Sequence, residues 1–338
     1  MFRKKMKLDI KNHEHNYCGK HHNISYLEYR KKGSGHLLVT LSGFNGREIE
    51  KAPAKYNYMR TLADININKL FIKDEIADIP VYYMGSEGTS YYLEDVCRLI
   101  EEKLMEMNVE KEQLIIAGSS KGGTGALLIG FKLGAGHIIA GANQLDVGSY
   151  LDSLNEELSH LLLTKVAGKI TENTVKEVDQ KFREHLLVDM IESQLYFHAG
   201  NRDNHYHKHM RPMLDHFDMH KILYDLELRH YAGHENVKYY FPEFFTRKVR
   251  EIISLPFIEH PEVTKKTDGT RIRIRTANDH ESVDWAIYVY RKDGETIKIL
   301  YGTEEFHTVP VELKEILSIK VFLRVHGEKK QVKEFQIS

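Results

Sequence analysis

Residues 113–134 of this chain are QLIIAGSSKGGTGALLIGFKLG, an apolar run followed by a glycine-rich turn and a second apolar segment. The first run predicts a buried strand, and the second predicts a helix that ends at Gly134. Small residues on both sides of the turn let the chain reverse sharply, so that the helix packs directly on the strand. The segment therefore predicts one unit of a sheet whose strands are covered by helices.

The same alternation continues on both sides of this unit, as far as about residue 253. Further strands are predicted at 36–41, 68–73, 81–85, 137–142, 195–200 and 222–228. Helices are predicted at 91–108, near 206–220 and near 236–253. Segments 24–29 and 36–41 flank KKGSG, which indicates a hairpin. Strands that alternate with helices predict an α/β fold, with a mostly parallel sheet and helices on both faces.

Two regions depart from this alternation. Residues 145–194 are mostly helical and charged in pattern, and we expect them to form a helical cap. After a proline-containing connector at 254–263, apolar and polar residues alternate in steps of two from Thr270 onward, which predicts a small β-sandwich. The predicted domains are an α/β domain at 1–258, with its cap at about 145–194, and a β-sandwich at 263–338.

The predicted sandwich has two specific features. The tetrapeptide KDGE at 292–295 lies between two alternating runs and indicates a hairpin. In the preceding strand, Trp285 should face the opposite way from Tyr288 and Tyr290, because successive residues of a strand alternate in direction. One of these faces should fill the core, while the other either stays accessible or packs at an interface.

The glycine-rich turn has two interpretations. From Lys121 onward, KGGTG looks like part of a phosphate-binding loop, but Ala126 and Leu127 stand where such a loop needs a lysine and a magnesium-binding Ser or Thr. From Gly118 onward, GSSKG matches G-x-S-x-G, the turn that presents a nucleophilic serine between a strand and a helix. The predicted nucleophile is therefore Ser120.

A nucleophilic serine needs a base and an acidic residue that orients the base, and α/β-hydrolases supply them in the order Ser, Asp or Glu, His. Asp203 follows the next-to-last predicted strand of the sheet, and His234 follows the last. Both lie where parallel strands end, which is the edge where such sheets keep their sites. Asp146 as the acid and His230 as the base stay open as alternatives.

A serine nucleophile also needs donors for the oxyanion that forms on the substrate. The backbone N–H of Lys121, directly after the nucleophile, is the first predicted donor. The second is expected from the LSGFNG loop, where Gly43 or Phe44 would donate. The alternative is that this loop is a glycine turn without a catalytic part.

Composition limits the classes of function. Lys and Arg total 48 against 49 Asp and Glu, which argues against a general affinity for nucleic acid. No apolar run suits a membrane-spanning helix, and the N-terminal residues lack a signal-peptide pattern, so we expect no membrane insertion and a cytoplasmic protein. Cys18 and Cys97 offer no disulfide framework, which suits the same compartment.

The 20 histidines raise the question of a metal. His205 and His209 are four residues apart, and so are His216 and His220, but neither pair belongs to a known zinc motif. Solvated helix faces and loops are the better explanation of this spacing. We therefore predict no metal and no cofactor.

Several motifs together carry a resemblance to a known family. They are YNYMRTL, NKLFIKDE, YYMG, GSSKGG, IIAGANQLDVGSYL and YFPEFF. With them, residues 36–250 resemble the α/β-hydrolase-like proteins of Gram-positive surface-glycan systems, which include accessory secretory-pathway proteins similar to O-acetyltransferases and capsule-biosynthesis proteins. The resemblance implies a catalytic triad of Ser120, Asp203 and His234. The C-terminal segment is similar to the small three-Y β-domains of bacterial proteins.

The expected function follows from the motif and the resemblance together. It is a serine-dependent esterase or O-acyltransferase that acts on an acetyl or similar group of a cell-surface glycan or its precursor. An acylated carbohydrate or other small ester is the expected substrate, with glycan-synthesis or export proteins as partners. The alternative is a non-catalytic binding or assembly component of such a system that retains the hydrolase fold.

Overall fold

A computed structural model describes residues 13–44, 46–277, 283–325 and 327–337 of the chain. The first residues, 1–12, on which the absence of a signal peptide was predicted, lie outside the described part. The chain divides into two compact units between Thr246 and Arg247. The domain boundary predicted from the sequence, at 258–263, lies later in the chain and stays a prediction.

The first unit contains a large sheet. Its strands are β1 (Glu14–Cys18), β2 (Asn23–Tyr29), β3 (Leu37–Leu41), β4 (Asn68–Ile72), β5 (Leu114–Ser119), β6 (His137–Gly141), β7 (Gln194–Arg202) and β8 (Tyr224–Ala232). They follow the order β1-β2-β4-β3-β5-β6-β7-β8. Strand β2 is antiparallel to both of its neighbours, and every other neighbouring pair is parallel. Every residue of β3 and β4 is buried, including the polar Thr40, Asn68 and Lys69.

Helices cover this sheet. They are α1 (Tyr91–Met107), α2 (Lys121–Leu133), α3 (Val147–Asp152), α4 (Glu156–Ala167), α5 (Thr174–Leu186), α6 (Arg211–Met219) and α7 (Val237–Ile252). Helix α2 ends at Gly134 in the left-handed conformation, as the sequence predicts. The predicted α/β-hydrolase architecture is confirmed, with parallel strands alternating with helices. Among the described residues, no helix combines the length and the apolar character that crossing a bilayer requires.

Two local predictions are wrong. Segments 24–29 and 36–41 do not form a hairpin, because β4 lies between β2 and β3 and pairs with both. Residues 81–85 form turns instead of a strand, with Tyr82 and Tyr83 at positive φ. Both tyrosines are fully buried, so their apolar pattern reflects packing and not strand pairing.

The segment predicted as a cap is helical, and it contributes α3, α4 and α5. Leu151, Leu162, Phe182 and Leu186 of these helices are fully buried and belong to the same hydrophobic core as the sheet. Met190, near the end of the segment, is exposed. The segment is therefore anchored in the core of the first unit.

The second unit consists of small antiparallel sheets. Its strands are β9 (Phe257–Ile258), β10 (Glu262–Lys266), β11 (Gly269–Arg273), β12 (Thr276–Ala277), β13 (Val283–Arg291), β14 (Thr296–Gly302), β15 (Phe306–Val309), β16 (Ile316–Val325) and β17 (Glu328–Gln336). The sheet orders are β10-β11-β15, β12-β9 and β14-β13-β16-β17. These sheets fit a small β domain, and its three-Y-like sandwich character stays a prediction.

The alternation expected in β13 is present. Trp285 is buried in the core of the second unit, whereas Tyr288 and Tyr290 are only partly buried. Strands β13 and β14 pair around the predicted KDGE turn, where the N–H of Arg291 donates to the carbonyl of Glu295. The predicted hairpin is therefore confirmed.

Candidate active site

Ser120 lies at the turn between β5 and α2, in a conformation that few residues other than glycine adopt. Its backbone has φ 54° and ψ −128°. A Cβ on Gly118 would lie 2.3 Å from the carbonyl oxygen of Gly122, and a Cβ on Gly122 would lie 2.7 Å from that of Leu41. Both positions therefore require glycine for the turn to close. The N–H of Ser120 donates to the carbonyl of Gly141 at 2.7 Å, which ties the turn to β6.

A continuous chain of hydrogen bonds joins Ser120, His234 and Asp203. The Oγ of Ser120 lies 2.8 Å from Nε2 of His234. Nδ1 of the same imidazole lies 3.3 Å from Oδ2 of Asp203. Asp203 follows β7 directly, and His234 comes two residues after β8. The fold thus brings together three side chains that are far apart in the sequence.

Asp203 is fully buried, and its two carboxylate oxygens have different partners. Oδ1 accepts from the backbone N–H of His205 at 2.9 Å, while Oδ2 faces His234. Burial alone would raise the pKa of Asp203, but the hydrogen bonds from His205 and His234 outweigh it and hold this pKa well below its usual range. The carboxylate is therefore charged at neutral pH, as it must be to hold the imidazole in one tautomer.

The two alternatives left open by the sequence have other partners. Asp146 forms a bidentate ion pair with Arg183, with 2.8 Å between Nη2 and Oδ2. The ring nitrogens of His230 lie near side chains of Asn201 and Arg202. The structure joins neither of them to Ser120.

The sequence did not predict two further residues that contact Ser120 and His234. The side-chain amide Nε2 of Gln144 donates to the Oγ of Ser120 at 3.1 Å. The ring of His205 stacks on that of His234. The available signal was their place in the sequence, because both follow strands that end at the same edge as β5. Polar residues directly after parallel strands are therefore candidates for a site at that edge of the sheet.

The predicted oxyanion donors lie beside the turn. Lys121 is the first residue of α2, so its N–H is directed out of the helix N-terminus. A Cβ on Gly43 would lie 3.9 Å from the carbonyl oxygen of Ser119, which places the loop after β3 next to the turn. Nζ of Lys121 lies 5.5 Å from the centroid of the Phe44 ring.

The side chain of Lys121 is buried and paired. Its Nζ lies 2.7 Å from Oδ2 of Asp74, and both side chains are fully inaccessible. Asp74 also accepts the N–H of Tyr83 at 2.9 Å, while its own N–H donates to the Oγ of Ser42 at 3.0 Å. The pair therefore connects α2 to the segment after β4, and the N–H of Asp74 in turn connects that segment to Ser42 after β3.

Two groups of three side chains could supply donor atoms to a metal within the described part of the chain. One is Asp203, His205 and His234, and the other is Asp189, His216 and His220. The first group is already connected by hydrogen bonds, and Asp189 of the second is mostly exposed. The absence of a metal and of a cofactor stays a prediction.

No protein-family model matches the chain. Over 181 residues it is 25% identical to an accessory Sec system protein of Staphylococcus aureus, a match that covers 51% of this chain and 34% of that protein. The chain thus spans about a third of the length of this relative.

Solved structures of similar fold include the following two. One is a capsule O-acetyltransferase of Neisseria meningitidis serogroup A, with a TM-score of 0.56 and 20% identity over 70% of this chain and 94% of the other. A mutant of that enzyme has been solved in complex with CoA. The other is a glycosylation-associated protein complex from Streptococcus agalactiae, with a TM-score of 0.59 and 20% identity over 72% of this chain and 46% of the other. At this level of identity the likeness establishes the fold alone.

Proposed function

We propose that this chain is a serine-dependent esterase or O-acyltransferase, with Ser120 as nucleophile, His234 as general base and Asp203 as the orienting acid. The observation that carries the proposal is the hydrogen-bonded chain from the Oγ of Ser120 through both nitrogens of His234 to the buried carboxylate of Asp203. Such a series of hydrogen bonds lets a neutral hydroxyl act as a nucleophile, because the imidazole accepts its proton and the carboxylate balances the resulting charge.

The reaction takes place in two steps. In the first, the Oγ of Ser120 attacks the acyl carbon, its proton passes to Nε2 of His234, and the bond to the leaving group breaks as that group takes the proton. In the second, the acceptor hydroxyl gives its proton to His234 and attacks the acyl-serine. The bond between the acyl carbon and Oγ then breaks, and Oγ recovers the proton.

The backbone around the turn would stabilise the oxyanion of each step. We assign this role to the N–H of Lys121 together with that of Gly43 or Phe44. Support comes from the position of Lys121 at the N-terminus of α2 and from the approach of Gly43 to Ser119. Backbone donors held in this way need no rearrangement when the negative charge develops.

For the substrate we propose an acylated cell-surface glycan or a precursor of one. This class is suggested by the capsule O-acetyltransferase and by the glycosylation-associated complex, both of which share the fold. Because a structure of the capsule enzyme holds CoA, acetyl-CoA is the first acyl donor to test. Glycan-synthesis or export proteins are the proposed partners.

The helical segment at 145–194 would act as a cap over this site. Its Tyr150 is half-buried, and its ring lies edge-on to His205, with 5.2 Å between the ring centroids.

The proposed catalytic residues all belong to the predicted α/β domain at 1–258. The β-sandwich predicted at 263–338 would contribute no catalytic residue.

A non-catalytic role in assembly or binding is the second candidate. It is favoured by the similarity to an accessory Sec system protein over about half of the chain. The two candidates differ in one property that can be measured directly, which is the reactivity of Ser120.

The test is labelling with a fluorophosphonate probe, with the adduct located by mass spectrometry. Ser119 provides a matched control, because it is the adjacent serine and its hydroxyl pairs with that of Tyr58. We expect Ser120→Ala to abolish the adduct and Ser119→Ala to retain it. If the folded wild-type protein forms no adduct at Ser120, the enzyme proposal is wrong and the binding role is favoured.

A second assay separates hydrolysis from transfer. The protein would be given p-nitrophenyl acetate or acetyl-CoA with and without an oligosaccharide acceptor, and products would be identified by mass spectrometry. An acetylated sugar formed only by protein with an intact Ser120 indicates an acyltransferase. Release of acetate at the same rate with and without the acceptor indicates an esterase.

A further inference from the structure

Gln144 lies beside the nucleophile, and both the nitrogen and the oxygen of its side-chain amide have hydrogen-bond partners. It is fully buried, in the loop that follows β6. Its Nε2 is 3.1 Å from the Oγ of Ser120, and its Oε1 is 3.0 Å from the Oγ1 of Thr124. The backbone N–H of Gln144 also donates to this threonine hydroxyl, at 2.9 Å. Because Thr124 lies in the first turn of α2, the amide and the nucleophile are positioned by the same helix.

The hydrogen bond from Ser120 to His234 leaves the serine oxygen able to accept a donor at the position of this amide. The hydroxyl of Ser120 has one proton, which the triad directs to His234. Its lone pairs can then only accept, and the amide N–H of Gln144 supplies the donor. The O–H of Thr124 faces two acceptors of Gln144, its backbone carbonyl at 3.1 Å and Oε1 at 3.0 Å, and when it donates to Oε1, Nε2 is the end of the amide directed at the serine.

The amide and the second proposed oxyanion donor, Gly43 or Phe44, lie on opposite sides of β5. Gly43 and Phe44 follow β3, whereas Gln144 follows β6, and β5 lies between these two strands. The backbone donors are therefore placed for the carbonyl oxygen of the substrate, while the amide is directed at Oγ itself. No other residue assigned above supplies an N–H donor to this oxygen.

We propose that Gln144 is a catalytic residue whose amide N–H stabilises negative charge on the Oγ of Ser120. This inference depends on the proposed acyl-transfer function. In the first step, Oγ gives its proton to His234 and forms the bond to the acyl carbon, and the N–H holds the oxygen in line as its proton leaves. In the second step, Oγ is the leaving group. The electron pair of the broken bond stays on this oxygen until His234 returns the proton, so that a hydrogen bond to it lowers the barrier.

The experiment compares four proteins: wild type, Gln144→Ala, Gln144→Met and Asn143→Ala. Asn143 is the matched control, since it is the adjacent buried amide and its Nδ2 faces the Sδ of Met213 instead of the triad. Gln144→Met keeps most of the side-chain volume, so that a cavity left by alanine is not mistaken for a lost donor. The measurements are the rate constant for fluorophosphonate labelling, kcat and KM for p-nitrophenyl acetate, and the melting temperature.

We expect both Gln144 variants to lose about 10- to 100-fold in labelling rate and in kcat, with KM within about twofold of wild type. This is the range for a single lost hydrogen bond to a group that becomes charged. Asn143→Ala should stay within about threefold of wild type. Thr124→Val, which removes the anchor of the amide but not the amide, should lose activity to a smaller extent than Gln144→Ala.

Two results would overturn the inference. One is a folded Gln144→Met variant that labels at the wild-type rate, and the other is an equal loss in Gln144→Met and Asn143→Ala, which would indicate a purely structural effect. A wild-type protein that does not label at Ser120 gives a different outcome, because it rejects the proposed function and the role of Gln144 with it.

Discussion

His205 stacks face to face on His234, with the ring centroids 3.5 Å apart and the ring planes 18° from parallel. Both imidazoles direct Nδ1 to the same carboxylate, that of Asp203, at 3.4 Å and 3.3 Å. Burial lowers the pKa of His205, although the hydrogen bond with Asp203 opposes this shift. In the proposed mechanism, the ring of His205 would contact His234 when the latter becomes positively charged.

We predict that His205→Ala lowers kcat about tenfold with little change in KM. The variant removes one hydrogen bond from Asp203 and the stacking surface of His234, but it leaves all three triad residues in place. Steady-state kinetics on a small ester would check this prediction. His207→Ala is the control, because His207 is exposed and its ring contacts the carbonyl of Asn201. An unchanged kcat in His205→Ala would show that the stacked ring has no catalytic effect.

The identity of the acid can be tested by comparing two asparagine variants. We predict that Asp203→Asn lowers kcat roughly 10³- to 10⁴-fold, because the imidazole then loses its correct tautomer. Asp146→Asn should keep kcat within about threefold, since the partner of Asp146 is Arg183. The same ester assay measures both variants. The opposite order of effects would transfer the role of acid to Asp146.

The buried pair of Lys121 and Asp74 should matter for stability. We predict that Lys121→Met lowers the free energy of unfolding by about 3–5 kcal/mol, because it leaves the carboxylate of Asp74 buried without its partner. The double variant Lys121→Met/Asp74→Asn should recover part of this loss. Urea denaturation measures both variants.

An exposed ion pair provides the control for this comparison. Arg211 and Asp215 form a pair in which both side chains are more than half exposed. Arg211→Met should therefore lower the free energy of unfolding far less than Lys121→Met does. Equal costs for Lys121→Met and Arg211→Met would contradict the importance assigned to the buried pair.

The stability of the first unit should fall in acid because of His209. Burial lowers the pKa of His209 to about 4, with the neighbouring His205 acting in the same direction and Asp146 in the opposite one. In the unfolded chain the pKa of histidine is about 6.5, so the unfolded state binds more protons between these two values. The contribution of neutral His209 to the free energy of unfolding is therefore fully present above about pH 6.5, and it is lost as the pH falls towards 4.

The predicted loss from His209 is roughly 2 kcal/mol in the free energy of unfolding between pH 7 and pH 5. Urea denaturation at the two pH values measures it. His209→Gln should remove this part of the pH dependence, whereas His220→Gln, at an exposed position, should retain it. If the loss is the same in wild type and His209→Gln, protonation of this side chain is not its cause.

Local sequence patterns predicted most elements of the first unit. The glycines at 118 and 122 and the apolar runs on both sides of Ser120 sufficed to predict the turn, because steric limits within a few residues determine its backbone. The failures were also local. The turns at 81–85 have an apolar pattern, and pattern alone does not distinguish a buried turn from a buried strand.

Strand order, in contrast, depends on the whole sheet. The hairpin prediction for 24–29 and 36–41 failed because β4, more than twenty residues further along the chain, lies between the two strands. Segments that are adjacent in sequence often pair. The apolar strand β3, however, buries both of its faces by lying inside the sheet, between β4 and β5. Sequence proximity was therefore a poor guide to pairing at this edge.

The sequence by itself determined that Ser120 stands in a strained turn between a strand and a helix, and it narrowed the acid and the base to two candidates each. Only the tertiary structure joined Ser120 to His234 and His234 to Asp203, across 114 and 31 residues of sequence, and their roles as base and acid stay a proposal. The structure also paired Asp146 with Arg183 and directed Gln144 at the nucleophile. Backbone sterics act within one turn, whereas these contacts depend on which strands become neighbours.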